Sequence, residues 1–394
     1  MSEGLRAMTA GKNSELYDSG LPTEQPYYPD VDRVDGIYLW SRGQRYVNCA
    51  SNDYLGLARH GEVAGSCIDG LLSWGGGLVG SPVACGVAEP VNLLSKQIAQ
   101  SMGTDRSILF PSGYQACVGI VQALAAVDSS FVCDKGVHAS IVDGVRMGGK
   151  MTRYFNHNDS HALTEKLRLI RKRSSGMVSV IVEDIYGVQG EPADIEGIVD
   201  ACLNYDATLV VDASHSIGFL SDPDRYGAFI KERPDAFVFV AALSKAIGWV
   251  GGVVCTSEGL HRAVLENSRS LLFSASIQPH AALAVATSLR FAEREPWRAR
   301  LAMQAVETVL ARLGPQPRLR FFGSLPILTL ELGSVEGALR AWRRIRDSGV
   351  LATAFIPPGV PSENPLVRFS FGPNHFEEAC MAKVVEAIKR VAWV

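Results

Sequence analysis

The chain lacks a block of basic residues, a CxxC pair and any Cys/His cluster. Lysine and arginine total 38 against 41 aspartate and glutamate, a formal charge of -3, so the footprint of a nucleic-acid or anionic-membrane binder is missing. The cysteines, at 49, 67, 85, 117, 133, 202, 255 and 380, are too sparse for a disulfide framework and read as reduced thiols of a cytoplasmic protein. The opening residues carry no apolar core of a secretory leader. One apolar run, residues 236–255, contains Ser244 and Lys245 and is broken by Gly248, Gly251 and Gly252. A lysine at the centre of a bilayer costs about 2.5 to 3.5 kcal/mol, so the run reads as two strands around a loop, not as a transmembrane segment.

What remains is an ordinary compact composition, 47% hydrophobic and 20% charged with 38 glycines, which excludes a disordered or fibrous chain. At 394 residues it exceeds what one core serves, and predicts a large domain with a smaller one beside it. Between about 100 and 256, apolar runs at 107–110, 131–133, 178–182, 208–211, 237–240 and 253–254 each precede a stretch compatible with helix. Runs without alternation mark strands covered on both faces, so the fold class is α/β with a mainly parallel sheet between helices. Functional groups then belong at the strands' C-terminal ends. Residues 280–313 read as helical; strands at 327–332 and 367–371, with helices around 335–345 and from about 376, predict a small α+β unit. The division is an N-terminal arm over 1–50, a large domain over 51–285 and a small domain over 286–394.

Five places can carry chemistry. Lys245 sits in apolar Ala241–Ile247 before glycines; a desolvated lysine becomes an amine nucleophile suited to Schiff-base formation, while a lysine snorkelling from a loop would look the same. Asp212 ends the strand 208–211 and His215 follows three residues on, both aimed at a crevice, although strand-end aspartates also cap helices. Ser112-Gly113-Tyr114 stands at a strand-to-helix turn that exposes backbone N–H groups to a phosphate; a tight turn with an N-cap serine has the same sequence. His138 either stacks on a flat ring or starts a helix. Arg368, inside the apolar strand near 367, suits a bidentate carboxylate or an inter-domain ion pair.

Taken in order, Ser51–Leu57 (SNDYLGL), Ser112–Tyr114, His138–Ser140, Asp212–His215, Leu243–Ala246 and Phe273–Ser276 resemble the α-oxoamine synthases from about Tyr46 onward. This is a family of pyridoxal 5′-phosphate (PLP) enzymes of fold type I that includes 8-amino-7-oxononanoate synthase and serine palmitoyltransferase. The resemblance implies that Lys245 forms the Schiff base with PLP and moves protons at the substrate α-carbon. It implies that Asp212 pairs with the pyridine nitrogen, His215 with the phenolic oxygen, and that His138 stacks on the ring. Ser112, Gly113 and Tyr114, with Ser244, would hold the cofactor. Asn52 and Arg368 would take the amino-acid carboxylate, and Ser274 and Ser276 would reach the cofactor of a neighbouring subunit in a homodimer. No metal is implied.

The implied activity is condensation of an amino acid with an acyl thioester, on coenzyme A or an acyl carrier protein, with loss of carbon dioxide, to an α-aminoketone. The alternatives are another PLP reaction, aminotransferase or lyase, or a non-catalytic partner subunit of the same fold. Four departures from the family pattern stand out: Ala242 and Ala275 replace hydroxyl residues, Gly187 a serine, and Ser81-Pro82 stands where an arginine is common. Each lost hydroxyl contact is worth about 0.5 to 1.5 kcal/mol.

Overall fold

The computed structural model describes residues 26–220 and 223–392. The chain enters through a meander of β1 (Arg33–Asp35), β2 (Tyr38–Ser41) and β3 (Gln44–Asn48). It then builds β4 (Arg106–Phe110), β5 (Ser130–Asp134), β6 (Thr152–Phe155) and β7 (Val178–Glu183). A small hairpin of β8 (Ile185–Tyr186) and β9 (Glu191–Pro192) leads on to β10 (Thr208–Asp212), β11 (Phe237–Ala242) and β12 (Gly252–Thr256).

Seven of these strands form one sheet in the order β4-β12-β11-β10-β7-β5-β6. It is parallel except for β12, which runs antiparallel to both its neighbours. The predicted apolar runs all lie in it. Their lack of alternation has the expected cause: Leu209 and Val211 pack into the core on one face while Val210, Ile181, Val238 and Val240 pack into the core on the other. β6 was not predicted, because as an edge strand it buries only Phe155 fully and carries Arg153 and Tyr154 outward.

Helices cover both faces. The first of those used below is α1 (Gly61–Trp74), followed by α2 (Gly113–Ala126) and α3 (Ala139–Gly148). Helix α4 (Pro279–Arg294) crosses α1 where Gly70 removes a side chain; a Cβ there would lie 2.6 Å from His280 Cα. Beyond it β13 (Leu319–Arg320), β14 (Ile327–Glu331), β16 (Thr353–Phe355) and β17 (Leu366–Ser370) make an antiparallel sheet in the order β13-β14-β17-β16. Helices over Val335–Asp347 and Glu378–Ala392 pack on it, giving the small α+β unit. The short strand β15 (Val350–Leu351) pairs in parallel with β3, Val350 opposite Val47.

That pairing changes the reading of the first fifty residues. From Arg33 onward they are not an extended arm but a three-stranded ribbon tied to the small unit through β15, with Ile37 and Val47 inside its core. The sequence shows little of this, since the three strands are short and the ribbon's buried residues, Ile37 and Val47 on one side and Leu39 and Tyr46 on the other, form no long apolar run. The remainder of the predicted arm, residues 1–25, lies outside the described residues.

Candidate active site

Strands β7, β10 and β11 end side by side, and the polar groups gather where they end. Asp212 is the last residue of β10 and is buried. Its Oδ1 accepts the Ser214 N–H at 3.0 Å and its Oδ2 accepts the Cys117 thiol at 3.5 Å. Cys117 comes from α2, four residues past Gly113 on the same helical face. The thiol is therefore pinned as a neutral donor: burial first, and the aspartate's charge second, push it well above the usual thiol range.

Lys245 follows β11 in a turn closed by Gly248 N–H to Lys245 O at 2.8 Å and Trp249 N–H to Leu243 O at 3.1 Å. Gly248 has φ +71, and a Cβ on it would lie 2.6 Å from the Ala58 nitrogen, so the turn rests on the backbone at 57–58. The lysine makes no hydrogen bond or ion pair among the described residues. Burial lowers its proton affinity, against the pull of Asp212 and Glu183 in the other direction. The side chain is half-buried, neither sealed in the core nor standing free of the fold.

His215 is also buried, with Nδ1 2.9 Å from the Tyr54 hydroxyl. Burial, then the positive charges of Lys245, Arg368 and His138, hold it well below the ordinary imidazole range, so it is neutral. Gly187 explains its place. A Cβ on Gly187 would overlap His215 Nε2, so the missing side chain is the space the imidazole occupies. The departure read from sequence as a lost hydroxyl is a steric requirement. Gly187→Ala should accordingly drive His215 out of position. We expect a folded protein whose cofactor affinity falls at least about tenfold, equivalent to roughly 1.4 kcal/mol, measured by spectroscopic titration with PLP; unchanged affinity would contradict the overlap.

His138 is the N-cap of α3, its Nδ1 accepting from the Ser140 N–H at 3.2 Å and bonding the Ser140 hydroxyl at 2.8 Å. Of the two readings of this histidine the structure shows the helix start, and Asp212 and Lys245 lie near enough for their charges to act on it. Ser112 caps α2 by accepting the Gln115 N–H at 3.2 Å. Gly113 is obligatory, because a Cβ there would overlap Ala242. Tyr114 is half exposed and donates to Asp143 Oδ2 at 2.5 Å, at the rim rather than inside. Ser274 accepts from Gln115 Nε2 at 2.9 Å, in the same chain, and so stands beside the α2 N-terminus of its own subunit. Ser276 donates its backbone N–H to Gly80 O at 3.1 Å and so lies against the glycine-rich segment 75–80. Ser244 is exposed on the lysine turn.

The other wall is Arg368, 5% exposed on β17. Its Nη1 donates to the Gly187 carbonyl at 2.7 Å and its Nη2 to Asn52 Oδ1 at 2.9 Å, while Nε has no partner. No carboxylate pairs with it among the described residues. The Phe355 ring lies 4.8 Å from the guanidinium. Tyr54 links this wall to His215, since its hydroxyl lies 3.1 Å from Asn52 Oδ1 as well as 2.9 Å from His215 Nδ1. Burial pushes that phenol up to about 12 and keeps it a donor.

Lys245, Asp212, His215, His138, Asn52 and Arg368 thus stand around one crevice, together with Cys117, Tyr54 and Glu183, which sequence reasoning missed. Glu183 could have been found as the charged residue that closes the apolar run 178–182. Cys117 and Tyr54 gave no such signal.

The donor set suits PLP. A half-buried amine without a partner among the described residues, a buried carboxylate at the neighbouring strand end and the N-terminus of the 14-residue helix α2 match an aldehyde, a pyridine nitrogen and a phosphate. Fold and site together define a PLP-dependent transferase of fold type I. Residues 46–388 match the family described as aminotransferase class I and II, and the chain belongs to that family, in its α-oxoamine synthase branch. It is 31% identical over 384 residues to the 8-amino-7-oxononanoate synthase of Pseudomonas putida strain GB-1, covering 96% of this chain and 94% of that protein. The corresponding enzyme of Alcanivorax borkumensis is 30% identical over 352 residues, 88% of this chain and 89% of its own. Among solved structures, a serine palmitoyltransferase of S. paucimobilis with a bound PLP–myriocin aldimine superposes with a TM-score of 0.86 at 25% identity, over 100% of this chain and 98% of that one.

Proposed function

We propose that this protein joins an amino acid to an acyl thioester in a PLP-dependent, decarboxylating condensation. The α-carbon bonds to the acyl carbonyl carbon, the thiol leaves, and carbon dioxide is lost, giving an α-aminoketone. The observation that carries the reading is Arg368: a buried guanidinium with an unused Nε and no acidic partner among the described residues, held on Asn52 and the Gly187 carbonyl, beside the crevice that contains Lys245. A desolvated arginine of this kind is a receptor for a carboxylate.

Bound PLP supplies an electron sink for the pair left on the α-carbon when one of its bonds breaks. The chain's residues do the rest. Lys245 anchors the cofactor and, as a neutral amine, takes and returns the proton at the α-carbon. Asp212, fixed by Ser214 and Cys117, keeps the pyridine nitrogen protonated. His215, neutral and oriented by Tyr54, hydrogen-bonds the phenolic oxygen, and His138 covers the ring. Ser112, the Gly113 backbone and the α2 N-terminus hold the phosphate, with Ser244, Ser274 and Ser276 at its edge and Tyr114 at the rim. Arg368 and Asn52 would hold the carboxylate and so fix the orientation of the bonds at the α-carbon.

The deciding experiment incubates the purified protein with single amino acids and acyl-CoAs or acyl carrier proteins, and reads product mass. A product in which the acyl group has replaced the carboxyl group of the amino acid supports the reading. Turnover that needs no thioester points to aminotransferase or lyase chemistry. An inert protein with bound cofactor points to a partner subunit.

The assembly belongs to the same proposal. Ile68, Leu72, Val79, Val83 and Phe273 are large, exposed and apolar around α1 and the glycine-rich segment, which supports a homodimer packed through that face. If Ser276 reaches the partner's cofactor, Lys245→Ala subunits mixed with Ser276→Ala subunits should regain part of the lost activity after exchange. No recovery despite demonstrated exchange would mean that each site is built from one chain. Eight unpaired cysteines, six of them buried, support residence in the reducing cytoplasm, and no helix among the described residues is long and apolar enough to cross a membrane.

A further inference from the structure

Glu183 is a buried acid with no assigned task. It ends β7 as Asp212 ends β10, and the parallel ladder pairs the two residues directly. Directly paired residues on neighbouring strands point to the same face, so both carboxyls enter one crevice. They are 7% and 4% exposed. Two carboxyls so placed cannot both ionise cheaply, and one retains a proton.

The donors decide which. Asp212 receives the Ser214 N–H at 3.0 Å and the Cys117 thiol at 3.5 Å. Glu183 receives the Gly187 N–H at 3.4 Å, at the limit of a hydrogen bond, and makes no ion pair among the described residues. The charged and titratable groups that act on it are Asp212 from β10, Lys245 from the turn after β11, and Asp184 beside it. Tyr186, on its own segment, feels its charge in return. Burial first and Asp212 second push Glu183 well above the carboxylate range; Lys245 and the Gly187 N–H pull the other way without reversing the result.

We propose that Glu183 is the proton-bearing member of a carboxyl pair and a positioning residue for Asp212, leaving the aspartate as the single negative charge offered to the pyridine nitrogen. The second half of this statement rests on the proposed function; the first does not, and the two are tested apart.

The protonation state is read on the cofactor-free full chain. An acid that keeps its proton in the folded protein but releases it on unfolding stabilises less as pH rises, from its unfolded value near 4.3 up through its folded value. The melting temperature of the wild type should therefore fall more steeply with rising pH than that of Glu183→Gln. Asp184, held by Ser216 and Tyr226 and raised to about 6, contributes equally to both and cancels. Equal slopes would overturn the proposal. If Glu183→Gln does not fold, infrared spectra of wild type carrying [13C]glutamate must show a protonated carboxyl at neutral pH; its absence overturns it equally. The positioning role is read on the holoenzyme. The cofactor absorbance should show an alkaline transition in wild type that Glu183→Gln lacks, and glutamine should restore at least about tenfold of the turnover that Glu183→Ala loses, the size of one charge-linked hydrogen bond. A glutamine variant as impaired as alanine would mean that the negative charge is needed, and would remove the role while leaving the condensation reading intact.

Discussion

Lys245→Ala is expected to lower turnover by at least about a thousandfold, within the range assigned to a positioned acid–base group that is also the point of covalent attachment. The argument is local. The amine is half-buried, lacks a partner among the described residues, and its desolvation favours the neutral, nucleophilic form. Borohydride reduction of the wild-type holoenzyme should fix the cofactor to the peptide that contains Lys245, and peptide mass mapping checks it. A label on another lysine, or none, would defeat the assignment. The fold should survive the change, because removing a desolvated amine leaves no unpaired charge behind.

Arg368→Ala carries the other large effect. If the guanidinium and the substrate carboxylate form a desolvated pair, breaking it costs about 2 to 5 kcal/mol, or roughly 30-fold to several thousandfold in amino-acid affinity. Arg368→Lys keeps a charge but cannot supply Nη1 to Gly187, Nη2 to Asn52 and a free Nε at once, so it should also raise the amino-acid KM by at least about tenfold with a much smaller effect on the thioester KM. An unchanged amino-acid KM, or equal use of an amine that has no carboxylate, would leave Arg368 as a tie between β17 and the turn at Gly187. The hydrogen bond to the Gly187 carbonyl shows that it is such a tie in any case.

How much of this was legible in the chain depends on where the determining contacts lie. The central strands were readable because apolar runs need no partner to be recognised, and Lys245 and Asp212 stood out as charges at the ends of such runs. The ribbon over β1 to β3 was not readable, since its stability comes from β15, some three hundred residues away. The pairing of Glu183 with Asp212 is a matter of strand register, and register is invisible until the sheet is ordered. Gly187 shows the opposite failure. Its missing side chain was noticed, but only the position of His215 shows what the gap is for.

The contact of Gly248 with the backbone at Leu57 and Ala58 reaches beyond the turn that it closes. Lys245 leans on the same short segment that carries Asn52 and Tyr54, so the amine and the carboxylate anchor have a common foundation. An insertion or deletion between Asn52 and Ala58 would misplace both at once. In a mutational scan, position 248 and this segment should behave as one unit, tolerating or failing changes together.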